Sequence, residues 1–387
     1  MPAQLARTHL LRFDIRVGKC VLQSALLAIL SGLLFSGVIA RAADDSADPQ
    51  VGAIRWDAWY GSEKGRVGAS VEAALDAEKW HYRLPFFAQV LGPDKVHIDG
   101  TSQEIMDKEI DYAANAGLAY WAYCLYATDD PMYYGIRNYL ASSHRNKIKF
   151  SLITTPGKFV DPKYLAQIRS LVAEKGYLTV FNKRPVIFLG FITLKDKEIA
   201  KFRRALDDFR TSCKIKGLGN PYLVIMDFTP SQGKKWIDAL GADALTSYTT
   251  HGNANDKGGS YAEMSQGVHW FWDQCKATGA QVVPIVATGA DRRPRVEHPM
   301  FWEKEQKPGV GIEKYFGQPK PEEIGALMGD ALRWIKVNQT SAQAQLILTY
   351  AWNENDEGGW LVPTLSEGTA RLDAVSRVIK GGASSPQ

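Results

Sequence analysis

The stretch "QLILTYAWNENDEGG", residues 345–359, joins two kinds of sequence. Residues 345–352 are almost wholly apolar or aromatic, the composition of a parallel strand buried on both faces. Directly after them come three acids, Glu354, Asp356 and Glu357. A buried strand that runs straight into carboxylates is what a barrel of parallel strands offers at its C-terminal face, where polar strand-end residues line the site.

The rest of the chain can supply the other strands. Runs rich in β-branched and aromatic residues recur at 51–60, 118–126, 147–154, 185–191, 221–228, 243–249 and 281–287. With 345–352 they make eight. Helical patterns lie between them. Thr101 and Glu104 have capping-box spacing, Met106, Ile110 and Ala113 recur at helical intervals, and Gly117 follows as a stop. Gly241 is placed to end a helix near 231–240, and Pro321 to begin one, with Glu322 and Glu323 in a first turn that favours acids. Strands alternating with helices predict an α/β fold with a parallel sheet, and eight units within residues 50–380 predict a single-domain (β/α)8 TIM barrel. The competing doubly wound sheet would ordinarily show GxGxxG after its first strand, and none is present. Two connections, 61–100 after the first strand and 288–320 after the seventh, far exceed ordinary loop lengths and fall on the face where barrel sites are built.

The N-terminus has a different character. Arg7, Arg12, Arg16 and Lys19 precede an apolar run at 21–40, which leads into Ala40-Arg41-Ala42. That order predicts a secretory signal peptide over residues 1–42, with an uncleaved membrane anchor as the alternative. Export to the periplasm or beyond, without stable membrane insertion after cleavage, is the expectation. Residues 381–387 are expected to form a flexible tail. The leader holds five of the 46 basic residues and one of the 42 acidic ones, so the remainder is balanced at 41 of each. No basic excess remains to argue for nucleic acid as a partner. Cys124, Cys213 and Cys275 do not form a disulfide framework, and their pairing is left open. No metal or cofactor is expected, since neither a CxxC nor a glycine-rich phosphate cradle occurs.

Strand ends name the candidate site. The first contributes Trp59 and Tyr60, the second Tyr126, and the fifth Asp227. The sixth leads to Tyr248 and His251, the seventh to Asp291 and Arg295, and the eighth to Asn353, Glu354 and Glu357. Aromatic rings beside carboxylates suit a carbohydrate, whose C–H faces stack while its hydroxyls bond to acids. Glu354 and Glu357 are three residues apart, which brings two carboxyls together in a turn or first helical turn. Like charges that close raise one pKa, so that one acid holds a proton while the other is ionised. Glycoside hydrolysis requires such a pair.

These residues also carry a likeness. "WDAWYG" (56–61), "AANAGLAYWAYCLY" (113–126), "ADRRPR" (290–295) and "WNENDEGGWLVP" (352–363) resemble the glycoside hydrolase family 71/99-like group, which includes endo-α-mannosidases and WbsX-like proteins of polysaccharide gene clusters. Asn353, Glu354, Glu357 and Gly358 fall in register with its N-E-W-x-E-G motif, and Asp291, Pro294 and Arg295 with its D-x-x-P-R. The resemblance implies a retaining barrel glycosidase. It also implies that Glu354 is the base activating the sugar's own 2-hydroxyl and that Glu357 is the general acid; internal cutting of α-mannoside-like linkages is one reading, and the sugar, the linkage and endo or exo action stay open. Asn355 stands where the family has tryptophan, and Val362 where relatives have an acid. Two other function classes fit the same barrel: a glycosyltransferase-like protein of polysaccharide assembly, and a sugar-binding barrel without catalysis. Retention of both glutamates favours the hydrolase.

Overall fold

The computed structural model describes residues 48–255 and 257–381. The leader 1–42 and residues 382–387 of the tail lie outside the described residues.

Eight parallel strands form a ring: β1 (Gln50–Arg55), β2 (Tyr120–Cys124), β3 (Lys149–Thr154), β4 (Arg184–Leu189), β5 (Tyr222–Met226), β6 (Ala244–Thr246), β7 (Gln281–Val282 with Ile285–Ala287) and β8 (Leu346–Tyr350). Each coincides with a run read from the sequence, β1 and β4 beginning one residue before theirs. β1 pairs with both β2 and β8, and pairing continues in order from β2 to β6. Closure falls to β7. Its first half pairs with β6 and its second half with β8. Pro284 sits at the change of partner. It has no N–H to give a ladder, but its carbonyl accepts from Leu348 N at 3.0 Å, while Val283 N donates to Leu245 O at 3.0 Å. The proline thus lets one strand serve two neighbours.

Burial explains the near-continuous apolar runs. All of β5, β6 and β8 is buried, with the ring's interior on one side and helices on the other. Tyr120 crosses from β2 past β1, and its hydroxyl donates to Ile347 O on β8 at 2.8 Å. Gly52, its partner residue on β1, leaves the space for that ring; a β-carbon there would collide with it.

The helices follow the sequence signals with one change. Gly117 and Gly241 both take positive φ just past helix ends, and Pro321 opens the helix Pro321–Val337 with Glu322 and Glu323 in its first turn. The helix Gln103–Asn115, however, is capped by Ser102, whose hydroxyl accepts from Ile105 N at 3.2 Å. Thr101 is occupied by Asp99, and Glu104 pairs with Lys108. Cys124, Cys213 and Cys275 are free. No helix among the described residues is long and apolar enough to cross a membrane.

Both long connections are structured. Residues 61–100 contain the helix Arg66–Leu75 and the hairpin Gln89–Gly92/Lys95–His97, packed on a second core that includes Trp59, Tyr60, Leu75, Trp80 and Val96. The connection after β7 contains the helix Arg293–Glu297, and its strand Tyr315–Phe316 pairs with Gly258–Gly259 after β6. The two connections meet. Lys79 Nζ and Trp80 Nε1 donate to Glu297 at 2.6 and 2.9 Å, and Arg83 pairs with Asp291 where neither is exposed.

Overpacking tests the interior of the ring. Gly52→Ala is expected to lower stability by about 1–3 kcal/mol, read from the urea unfolding midpoint, because the added methyl must displace the Tyr120 ring.

Candidate active site

The motif after β8 folds back on itself. Asn353–Glu354 pairs antiparallel with Gly359–Trp360, and a single 3-10 turn, Asn355–Glu357, joins them. Gly358 closes the turn at φ 89°, where a side chain would be strained. The Glu357 carbonyl there accepts from Asp291 N at 2.9 Å.

Three acids crowd into this turn because one cation serves them all. Arg295 reaches in from the helix Arg293–Glu297. Its Nε donates to Asp356 Oδ2 at 2.6 Å, its Nη1 to Glu357, and its Nη2 lies 4.0 Å from Glu354 Oε2. The guanidinium also lies 4.9 Å from the Trp56 ring centre. Asp356 is fully buried and acts as the structural partner. Each of the other two acids has a tyrosine as well: Tyr248 donates to Glu354 Oε1, and Tyr350 to Glu357 Oε2 at 2.8 Å. Arg292, about half exposed at the mouth, stands 3.6 Å from Glu357 and also pairs with Glu303.

The two glutamates are thereby driven apart in acidity. Burial raises the Glu354 pKa, the charge of Glu357 raises it further, and Arg295 and Tyr248 offset only part of this; it stands at about 8. Burial also acts on Glu357, but Arg295, Arg292 and Tyr350 outweigh it and hold that carboxyl below its usual value. At neutral pH the pair therefore carries one proton, resting on Glu354.

The other expected residues divide into two sets. Tyr126 and Asn353 join the site indirectly. The Tyr126 hydroxyl accepts from Trp56 Nε1 at 2.8 Å, and Asn353 Oδ1 accepts from Trp56 N at 2.9 Å. Trp59 and Tyr60, expected as sugar platforms, are instead buried in the core of the first connection, and the Trp59 indole N–H donates to Asn353 O at 2.9 Å. Asp291, expected to hold a hydroxyl, is fully buried between Arg83 and Arg293. Burial opposes its ionisation, yet the two arginines keep its pKa below the usual value. Asp227 accepts from Thr229 N at 2.8 Å at the start of the helix Pro230–Leu240, and the His251 ring lies 5.4 Å from Phe316.

The residues missed are Trp56, Tyr350 and Phe191; Arg292 lies in the "ADRRPR" stretch after β7. Trp56 is the first residue after β1, so a strand end placed at Arg55 rather than residue 60 would have named it. Tyr350 ends β8 and was read as part of the strand. Phe191, 56% exposed, lies just past β4 at φ 52° and packs on Tyr248 with ring centres 5.5 Å apart. The two departures from the family motif are accounted for here. Asn355 Nδ2 donates to Arg83 O at 2.6 Å and so pins the first connection to the turn. Val362 is core, its N–H bonded to Trp352 O at 2.8 Å.

The raised Glu354 pKa has a consequence for stability. Between its ordinary value of 4.5 and its folded value of about 8, the folded protein binds the proton and the unfolded chain does not. Stability therefore falls as pH rises through that window. Glu354→Gln should unfold at a higher temperature than the parent at pH 9, and the gap should close toward pH 5.

No family model and no curated sequence matches the chain. Solved structures do. The structure of the GH99 endo-α-mannosidase from Bacteroides thetaiotaomicron matches with TM-score 0.56 at 13% identity, over 87% of this chain and 98% of that one. The same enzyme in complex with bis-tris-propane gives TM-score 0.54 at 12% identity, over the same shares. The chain thus has a fold like that of the GH99 endo-α-mannosidase, a TIM-barrel glycoside hydrolase.

Proposed function

We propose that this protein is an exported, retaining glycoside hydrolase in which Glu354 and Glu357 are the catalytic pair, and that α-mannoside-like linkages are its first substrates to test. The observation that carries the reading is the hairpin after β8. It presents two glutamates to one guanidinium and holds one protonated and the other ionised. A pair sharing a single proton is what protonation of a leaving oxygen and assistance to attack at the sugar require. The fold likeness to a GH99 endo-α-mannosidase and the resemblance of the motif support the same reading.

The roles follow the resemblance, with Glu354 as base and Glu357 as acid. Burial puts the resting proton on the opposite member, Glu354. A sugar that displaces the half-exposed Arg292 removes one of the charges favouring ionised Glu357 and so raises its pKa toward that of Glu354. Once ionised, Glu354 can take the proton of the 2-hydroxyl. The exposed Phe191, packed on Tyr248, and the half-buried Tyr126 are the rings offered to the sugar.

Leaving-group dependence separates these roles. Loss of either acid should lower turnover of a natural glycan by about 10²–10⁴-fold. An activated aryl glycoside needs little protonation, so Glu357→Gln should keep far more activity on it, and Glu354→Gln should be impaired on both. The reverse pattern would give the acid role to Glu354, where the resting proton lies. NMR of the first turnovers should show product with retained anomeric configuration; initial inversion would exclude the mechanism. Full activity in both variants would exclude the pair.

Export is proposed from the basic, apolar, Ala-Arg-Ala order of residues 7–42. The exported protein should have an intact mass corresponding to a start near Ala43, and a mass still including residues 21–40 would favour an anchor.

A further inference from the structure

The first long connection holds a separate group of chemically active side chains. Glu63, His97 and Asp99 each bring one ligand-capable atom to within 4.8 Å of the others. Two are neighbours in sequence, His97 at the end of the hairpin strand Lys95–His97 and Asp99 two residues on, bridged to Tyr60; the third, Glu63, comes from the turn Ser62–Lys64. Only the fold brings Glu63 to the other two.

A buried carboxylate stands behind the imidazole. Glu72, on the helix Arg66–Leu75 and 1% exposed, has its Oε1 at 3.2 Å from His97 Nδ1. The same oxygen accepts from Ser62 N at 3.2 Å and Ile98 N at 2.8 Å. The carboxylate lies within ion-pair distance of the imidazole and steadies the ring. The second oxygen of Glu72 is buried and has no hydrogen-bond partner among the described residues. Charge at the site is unbalanced. Glu63 and Asp99 face a single ammonium, Lys64, whose Nζ is 2.5 Å from Asp99 Oδ2, 2.9 Å from Thr101 Oγ1 and 4.0 Å from Glu63 Oε1. Lys64 thus stands as a monovalent cation where two carboxylates converge.

We propose that Glu63, His97 and Asp99 bind a zinc ion, with Glu72 orienting the histidine and Lys64 as the cation that zinc displaces. One imidazole nitrogen with two carboxylate oxygens suits Zn²⁺, with water in the fourth place, whereas calcium and magnesium prefer all-oxygen sets. The ion would tie the start of the connection to its end. That is the segment carrying Trp80 and Arg83 to Glu297 and Asp291. The proposal is independent of the reading of the glutamate pair.

Titration of the purified protein with ZnCl₂, by calorimetry and by thermal unfolding, tests it. One zinc per chain and a raised unfolding temperature are expected. His97→Ala should abolish both effects. Glu63→Gln alters an exposed side chain, does not threaten folding, and should weaken binding. Glu72→Gln should weaken it by about 10–100-fold, the usual cost of losing a carboxylate behind a metal-bound histidine. Lys64→Ala should bind more tightly than the parent. Absence of heat and of any temperature shift in the parent would overturn the proposal, even if Lys64→Ala bound, since Lys64 would then be the native occupant. Binding that survives both His97→Ala and Glu63→Gln would place the zinc elsewhere and also overturn it.

Discussion

The buried guanidinium of Arg295 is the interaction on which the site depends. An arginine withdrawn from water is tolerated only when its charge and its donors are met, and the planar fork of arginine can meet several carboxylates at once. Here Asp356 takes Nε, Glu357 takes Nη1, and Glu354 lies beside Nη2. The arrangement works in both directions. Three acids in one hairpin would repel one another without the cation, and the cation could not be buried without the acids. The unequal share each glutamate receives is what separates their acidities.

That hub also explains why the two long connections are ordered and mutually bound. Arg295 belongs to the connection after β7, and the acids belong to the turn after β8. The connection after β1 locks the two together through Arg83. Its guanidinium pairs with Asp291 and donates to Asp291 O at 2.9 Å, while Asn355 reaches its backbone carbonyl. These groups are almost wholly buried, so each would be costly without its partner. Asp291 and Asn355 are therefore better understood as fasteners of the site than as ligands of a sugar. The Trp56 ring is held by Arg295 and its indole N–H by Tyr126.

Legibility in the sequence followed the range of the forces involved. The eight strands were readable because a strand buried on both faces must be apolar along its length, as in Leu346–Tyr350. Helix ends marked by Gly117, Gly241 and Pro321 were readable because a positive φ or a missing N–H is a local property. Errors arose where apolar sequence continued past the end of hydrogen bonding. The run 51–60 looks uniform, but β1 stops at Arg55, and the residues beyond it pack into a separate small core. Trp59 and Tyr60 were consequently assigned to the site, while Trp56 was overlooked. The capping assignment failed on a smaller scale, since Ser102 and Thr101 are equally good caps and only the contact of Thr101 with Asp99 decides between them.

The sequence alone determined the alternating α/β pattern, the number of strands, and the concentration of acids after the last of them, because each follows from local composition and periodicity. The tertiary structure decided what those acids do. Only contacts between residues far apart in the chain could show that Asp356 is spent on Arg295, that Asp291 is spent on Arg83, and that Tyr248 and Tyr350 are divided between the two glutamates. Burial and charge, summed over partners that no spacing rule connects, set which carboxyl keeps its proton. The same is true of His97 and Asp99, whose place beside Glu63 depends on the fold of the first connection.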